Sequence, residues 1–157
     1  MKTIDFTASV IEATFEELTP EQQDLVTTAR KATYRSYVPY SHFSVGAAIL
    51  LDDGTIISGS NHENAAYPSG ICAERTAAFY AHSSHPDAKF KTIAVAARGT
   101  DGLDTLNPIS PCGACRQALL EYETLAGKNI PVILAGKSTF FIFPSVKSLL
   151  PYSFTEF

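Results

Sequence analysis

The chain contains only three cysteines, and their neighbours set the chemistry they could do. One lies in Cys72-Ala73-Glu74, two residues before a glutamate. The other two form a C-x-x-C within Pro111-Cys112-Gly113-Ala114-Cys115. Four protein ligands close a structural zinc site, whereas a catalytic zinc keeps one position for water. Three thiols leave the fourth corner open, and Glu74 is then available beside it as a proton carrier. Two blander uses of the same residues stand beside this one. A histidine (His42, His62, His82 or His85) could complete a closed structural zinc, although none falls in a C-x-x-C…H-x-x-H arrangement. Cys112 and Cys115 could be a redox pair, which leaves Cys72-Ala73-Glu74 without a task.

These residues need elements to hold them. Residues 1–18 read as an N-terminal extension with loosely alternating apolar residues, room for a short strand and no assignable motif. Thr19-Pro20-Glu21-Gln22 is a helix start with an N-cap, a proline at the first helical position and a capping box. Apolar residues at helical spacing carry that helix to about Tyr37, and Pro39 ends it. Asp52-Asp53-Gly54 between apolar runs predicts an antiparallel hairpin of strands 45–51 and 55–59. Tyr37, Tyr40 and Phe43 precede it and read most simply as core aromatics. A helix begins near Cys72, a buried strand spans 93–97, and a second helix begins near Cys112 and stops at Gly127. Short strands at 130–135 and 140–143 and a helical turn at 145–149 complete the pattern. Strands alternating with helices predict a layered α/β domain with a mixed sheet.

Each metal-bearing segment thus falls at a helix start. Three thiolates on Zn²⁺ leave a net negative charge, and two helix N-termini, each worth about half a positive charge, offset part of it. Arg75 is the other counter-charge at hand; its planar fork stays ionised and can reach two sulfurs. Asn61 and Glu63 flank one residue on an extended segment. Their side chains therefore point to the same side, which suits adjacent hydroxyls of a sugar.

Four blocks in order resemble the cytidine deaminases, specifically the small three-cysteine type of the cytidine/deoxycytidylate deaminase superfamily. They are Tyr40-Ser41-His42-Phe43-Ser44-Val45-Gly46-Ala47-Ala48, Asn61-His62-Glu63-Asn64-Ala65-Ala66-Tyr67, Cys72-Ala73-Glu74-Arg75-Thr76-Ala77 and Pro111-Cys112-Gly113-Ala114-Cys115-Arg116-Gln117. The pattern Cys-x-Glu followed by Pro-Cys-x-x-Cys is that of the zinc deaminases, in which the glutamate is not a ligand. The resemblance covers roughly residues 20–155. It implies a three-layer α/β/α fold with a mixed five-stranded sheet, formed by residues 19–157 as one catalytic domain. It further implies one zinc per subunit on Cys72, Cys112 and Cys115, with Glu74 as acid and base. Phe43 is expected to stack on the pyrimidine, Asn61 and Glu63 to bind the ribose, Ala73 to belong to the substrate site, and Arg75 to bond the cysteine sulfurs. Tyr67 and Phe154 are expected near the sugar or base of an adjacent subunit, in a homotetramer.

The implied reaction is hydrolytic deamination of cytidine and 2′-deoxycytidine to uridine and 2′-deoxyuridine, a step of pyrimidine salvage. A rival enzyme reading is a deaminase of a cytosine-bearing antibiotic such as blasticidin S. A polynucleotide deaminase is disfavoured, since the 157 residues carry a net charge of −4 and show no basic cluster. A non-enzymatic zinc-structured module is the remaining class. The 18% charged fraction is low for a small monomer, and some surface is expected to be covered by other subunits. No secretory leader is read at the N-terminus, and no apolar run reaches the ~20 residues of a membrane span. The expected compartment is the cytoplasm, where a C-x-x-C is more often metal-binding or redox-active than part of a disulfide framework.

Overall fold

The structure, a computed structural model, describes residues 1–155. Among the described residues six strands and three α-helices follow one another. They are β1 (Ile11–Ala13), α1 (Pro20–Ala32), β2 (Ser44–Leu51), β3 (Ile56–Ser60), α2 (Ala73–Ser84), β4 (Phe90–Arg98), α3 (Gly113–Ala126), β5 (Val132–Ala135) and β6 (Phe140–Phe143). The strands make one mixed sheet in the order β1-β6-β5-β4-β2-β3.

Side chains alternate across a strand, so β2 serves two cores at once. Ala47, Ile49 and Leu51 face Ala73, Ala77 and Ala81 of α2 and Leu119 and Leu120 of α3. Ala48 and Leu50 face Leu25, Val26 and Ala29 of α1. The domain therefore has the expected three α/β/α layers, with α1 alone on one face.

The sheet departs from the expected five strands. Ile11–Ala13 adds a sixth, antiparallel to β6, with Ile11 opposite Ile142 and Ala13 opposite Phe140. Three residues with only Ala13 buried hold too little periodicity to announce a strand; the free edge of β6 makes it one. Upstream, the Phe6 ring meets Tyr152 edge to face at 5.6 Å.

Thr19 caps α1 as predicted: its hydroxyl accepts from the Gln22 amide, and the Gln22 side chain accepts from the Thr19 amide. The helix stops at Ala32 and continues only as a 3₁₀ turn over Thr33–Arg35, short of the expected Tyr37. Tyr37 is instead claimed by a neighbouring segment, its amide donating to Asn61 O and its carbonyl accepting from Glu63 N. The hairpin forms as expected, with Gly54 at φ +88° in its turn.

Topology decides where α2 and α3 begin. β2 runs antiparallel to both β3 and β4, so β3 and β4 point the same way. α2 follows β3 and α3 follows β4, and both pack on the same sheet face. Their N-termini therefore meet at one end of the sheet, outside the carboxyl ends of parallel strands, where open α/β sheets bind ligands. α3 also anchors the C-terminal segment. The buried Glu123 carboxylate accepts from the amides of Ile130, Val146 and Lys147 and from the Ser145 hydroxyl, at 2.7–3.2 Å. It thereby caps the 3₁₀ turn Val146–Leu149.

Candidate active site

Cys72 is the N-cap of α2 and Cys112 the N-cap of α3, both in extended backbone, and Cys115 lies in the first turn of α3. Neither N-cap sulfur caps its own helix. The three Sγ atoms turn toward one another, all within 4.8 Å. A zinc with tetrahedral bonds of about 2.3 Å to sulfur would hold its thiolates about 3.8 Å apart. The Cys72–Cys112 and Cys112–Cys115 pairs lie at 3.9 and 3.5 Å, close to that spacing, so the donor set suits that ion. Among the described residues no histidine or carboxylate joins the cluster. His62 approaches Ser60 O, His85 faces Asp53, and His82 packs on Tyr122. This favours a three-ligand site over a closed one.

The electrostatics of the cluster follow from its neighbours. The Cys72 thiol is pulled down to about 5, first by a hydrogen bond from Cys115 and then, against its burial, by Arg75. Cys115, the donor in that bond and deeply placed, is pushed upward. An Arg75 Nη lies 3.6 Å from Cys72 Sγ. Its contact with the sulfurs of Cys72 and Cys115 holds the guanidinium more firmly ionised. Its Nε is buried without a hydrogen-bond partner among the described residues. Glu74 is 4% exposed. Burial raises its carboxyl pKa, and the Cys72 charge adds to that, while Cys115 and Arg75 oppose it. The result is a proton-carrying group held beside the thiols with a raised affinity for its proton.

A cleft of about 590 Å³ opens over Cys72 and Arg75, lined also by Tyr40, Ser41, Asn61, His62, Glu63, Asn64, Tyr67 and Ile71. Asn61 and Glu63 thus share one cavity, and both also brace its wall. Asn61 accepts from Val45 N at 2.7 Å and donates to Phe43 O at 3.0 Å. Glu63 accepts from the amides of Tyr40 and Ser41 at 2.9 and 3.2 Å. A hydrogen bond from the Ser41 side chain, with those amides, holds its carboxyl below the usual range. Phe43 is half-buried and is not among the residues that line the cleft. Ala73 is fully buried in the first turn of α2, against β3. Tyr67, 80% exposed, stands in the cleft of its own chain, its ring 6.3 Å from that of Tyr40. Phe154, 67% exposed, lies outside the cleft lining; its carbonyl accepts from Gln117 Nε2.

The core reading of two aromatics is corrected: Tyr37 and Tyr40 are both exposed. Tyr40 and Ser41 as cleft residues were not singled out from the sequence, although both stand in the first of the four blocks. Their exposure follows from the turn over residues 39–41, which Glu63 holds through the amides of Tyr40 and Ser41.

Comparison with known proteins bears on the same residues. The family model described as the cytidine and deoxycytidylate deaminase zinc-binding region matches residues 19–127. The chain is 43% identical over 134 residues to a cytidine deaminase of Sporosarcina psychrophila, covering 85% of this chain and 91% of that one. It is 41% identical over 135 residues to a cytidine deaminase of Halalkalibacterium halodurans, covering 86% and 95%. The crystal structure of cytidine deaminase from Burkholderia pseudomallei superposes with a TM-score of 0.72 at 36% identity, covering 87% of this chain and all of that one. These matches span both thiol-bearing helix starts and the cleft over the first of them, and the chain accordingly belongs to the cytidine and deoxycytidylate deaminase family of hydrolytic enzymes.

Proposed function

We propose that the chain hydrolyses cytidine and 2′-deoxycytidine to uridine and 2′-deoxyuridine with release of ammonia, in pyrimidine salvage. One observation carries the reading: three convergent thiols at two helix N-termini, with a buried glutamate two residues after the first thiol. Cys72, Cys112 and Cys115 would hold one zinc per subunit. Bound there, zinc supplies a Lewis acid that lets water lose a proton near neutral pH. Glu74 accepts that proton and passes it to N3 of the base as the water oxygen adds at C4. It then carries a proton from the new hydroxyl to the amino group, the C4–N bond breaks, and ammonia leaves. Arg75 and the two helix ends offset the thiolate charge.

Phe43 is assigned to the base, Asn61 and Glu63 to the ribose hydroxyls, and Ala73 to the substrate site at the start of α2. Tyr67 and Phe154 are assigned to sites shared with neighbouring subunits of a homotetramer. Exposed Phe79 and Tyr80 on α2, with Leu103 and Leu106, support such contacts. Residues 19–157 form the catalytic domain and 1–18 an extension of it. Reduced thiols suit the cytoplasm. Among the described residues no helix is long and apolar enough to cross a membrane.

Ultraviolet absorbance on mixing zinc-loaded protein with cytidine tests this directly. Conversion is expected for the wild type, with a loss of at least ~10²-fold in Glu74→Gln, the low end for a general acid and base. Folded, zinc-loaded wild type that leaves both nucleosides unchanged would sink the substrate assignment, and turnover of blasticidin S alone would replace it.

A further inference from the structure

We propose that Arg116 is a positioning residue of the three-thiol site and couples that site to the C-terminal tail; the inference rests on the metal reading above. Arg116 follows Cys115 on α3 and is half-buried. Its three guanidinium nitrogens each donate to a different stretch of chain. Nε reaches Pro111 O at 2.8 Å, Nη2 reaches Ser110 Oγ at 2.7 Å, and Nη1 reaches Leu149 O at 2.7 Å.

The first two acceptors lie immediately before Cys112. That segment has little else to fix it: among the described residues, 106–111 take part in no backbone-to-backbone hydrogen bond. The Cys112 sulfur cannot act as a helix cap while it faces the other thiols. Arg116 is no substitute for a cap, which would accept from the first amides of the helix; it donates instead to oxygens of the segment that leads into α3 and so pins that segment from inside the helix. One helical turn then carries Cys112, Cys115 and the group that sets the distance between their backbones. Charge-assisted bonds of this length are the stronger kind, and a fork of fixed shape transmits displacement of any acceptor to the others.

The third acceptor ends the 3₁₀ turn Val146–Leu149 and begins the tail. Gln117 extends the hold five residues further by donating to Phe154 O. Two consecutive side chains after the last thiol thus grip both ends of residues 149–154. Ordering of the tail and closure of the thiol triangle share Arg116, so each favours the other, and by linkage the effect is reciprocal.

The test uses full-length protein with zinc alone, then cobalt alone as a spectroscopic probe. Arg116→Gln is expected to lose zinc affinity by roughly 10–100-fold, the usual consequence of removing a partner that orients metal ligands. Its thiolate-to-cobalt absorption is expected to weaken or shift. Arg116→Lys should not restore either, since one ammonium cannot span three acceptors. Zinc should slow amide exchange over residues 150–155 in the wild type and not in Arg116→Gln. Wild-type zinc affinity and cobalt spectrum in Arg116→Gln would overturn the inference, even if the variant were less stable. Zinc that leaves exchange of the wild-type tail unchanged would overturn the coupling. Should Arg116→Gln not fold, Ser110→Ala removes one arm only and is expected to weaken zinc in the same direction by less; unchanged affinity there would overturn the proposal. Turnover is not read, so failure of the proposed reaction leaves these affinities to decide. A wild type that binds no zinc would overturn the metal reading and this inference together.

Discussion

A methyl group at Gly59 would strike α2 at its backbone. A Cβ built on Gly59 lies 2.5 Å from Ala77 N and 2.8 Å from Ala73 O. Carbon contacts are comfortable at about 3.5 Å or more, so α2 must lift from β3 by about 1 Å. Both obstructing atoms are backbone, and no side chain can swing away to make room. Overpacking of this kind costs about 1–3 kcal/mol. For a chain of this length that lowers Tm by roughly 2–12 °C. The helix that lifts starts at Cys72 and holds Glu74, and a ~1 Å misplacement of catalytic groups can cost ~10²-fold in rate. Gly59→Ala should therefore lose kcat by about that factor while still folded, measured by cytidine deamination beside a thermal melt. Gly113→Ala is the control, because a Cβ there meets nothing within 4 Å. Relief of unfolded-chain entropy should leave it as stable as wild type or about 0.4–1 kcal/mol more so. A Gly59→Ala protein with wild-type Tm and kcat would refute the reasoning, since it would mean that α2 and β3 are not packed backbone to backbone.

Glu63 titrates below its ordinary 4.5, so its folded-state contribution is complete above that pH and is lost as pH falls through the lower value. KM for cytidine should accordingly hold steady down to the ordinary carboxylate range and rise only below it; a Glu63→Gln variant should show no such acid limb in KM. Glu123→Ala leaves the amides of Ile130 and Val146 without their acceptor, while Lys147 N keeps Ser145 Oγ. At about 1–3 kcal/mol for a buried donor, a loss of at least about 2 kcal/mol is expected in urea unfolding. Zinc at about a hundredfold over its Kd should stabilise the wild type by about 2.7 kcal/mol. Cys112→Ser should lose most of that gain, read as the zinc-dependent shift in Tm.

Local chemistry carried far in the sequence. Thr19 and Gln22 announce their capping box because cap bonds close within four residues. Asp52-Asp53-Gly54 announces its hairpin because a turn with φ > 0 needs few residues besides glycine. β1 was faint for the opposite reason: Ile11–Ala13 is a strand only because β6 offers it an edge. The exposure of Tyr37 and Tyr40 was not legible because an aromatic side chain alone does not say which way it faces, and the path of that segment is fixed by its bonds to residues 61–63.

The sequence by itself determined which three thiols and which glutamate could form a site, and roughly where the two helices that bear them begin. Residue type decides what can bind a soft cation, and the helical runs after Cys72 and Cys112 are legible in the local residue pattern. Only the tertiary structure decided that Cys72 and Cys112, forty positions apart, are 3.9 Å from each other. That contact exists because β3 and β4 run parallel and send α2 and α3 back from the same end of the sheet. The cleft and the Arg116 fork belong to the same class of fact: each joins groups tens of residues apart, so its energy appears only once the sheet has brought the chain together.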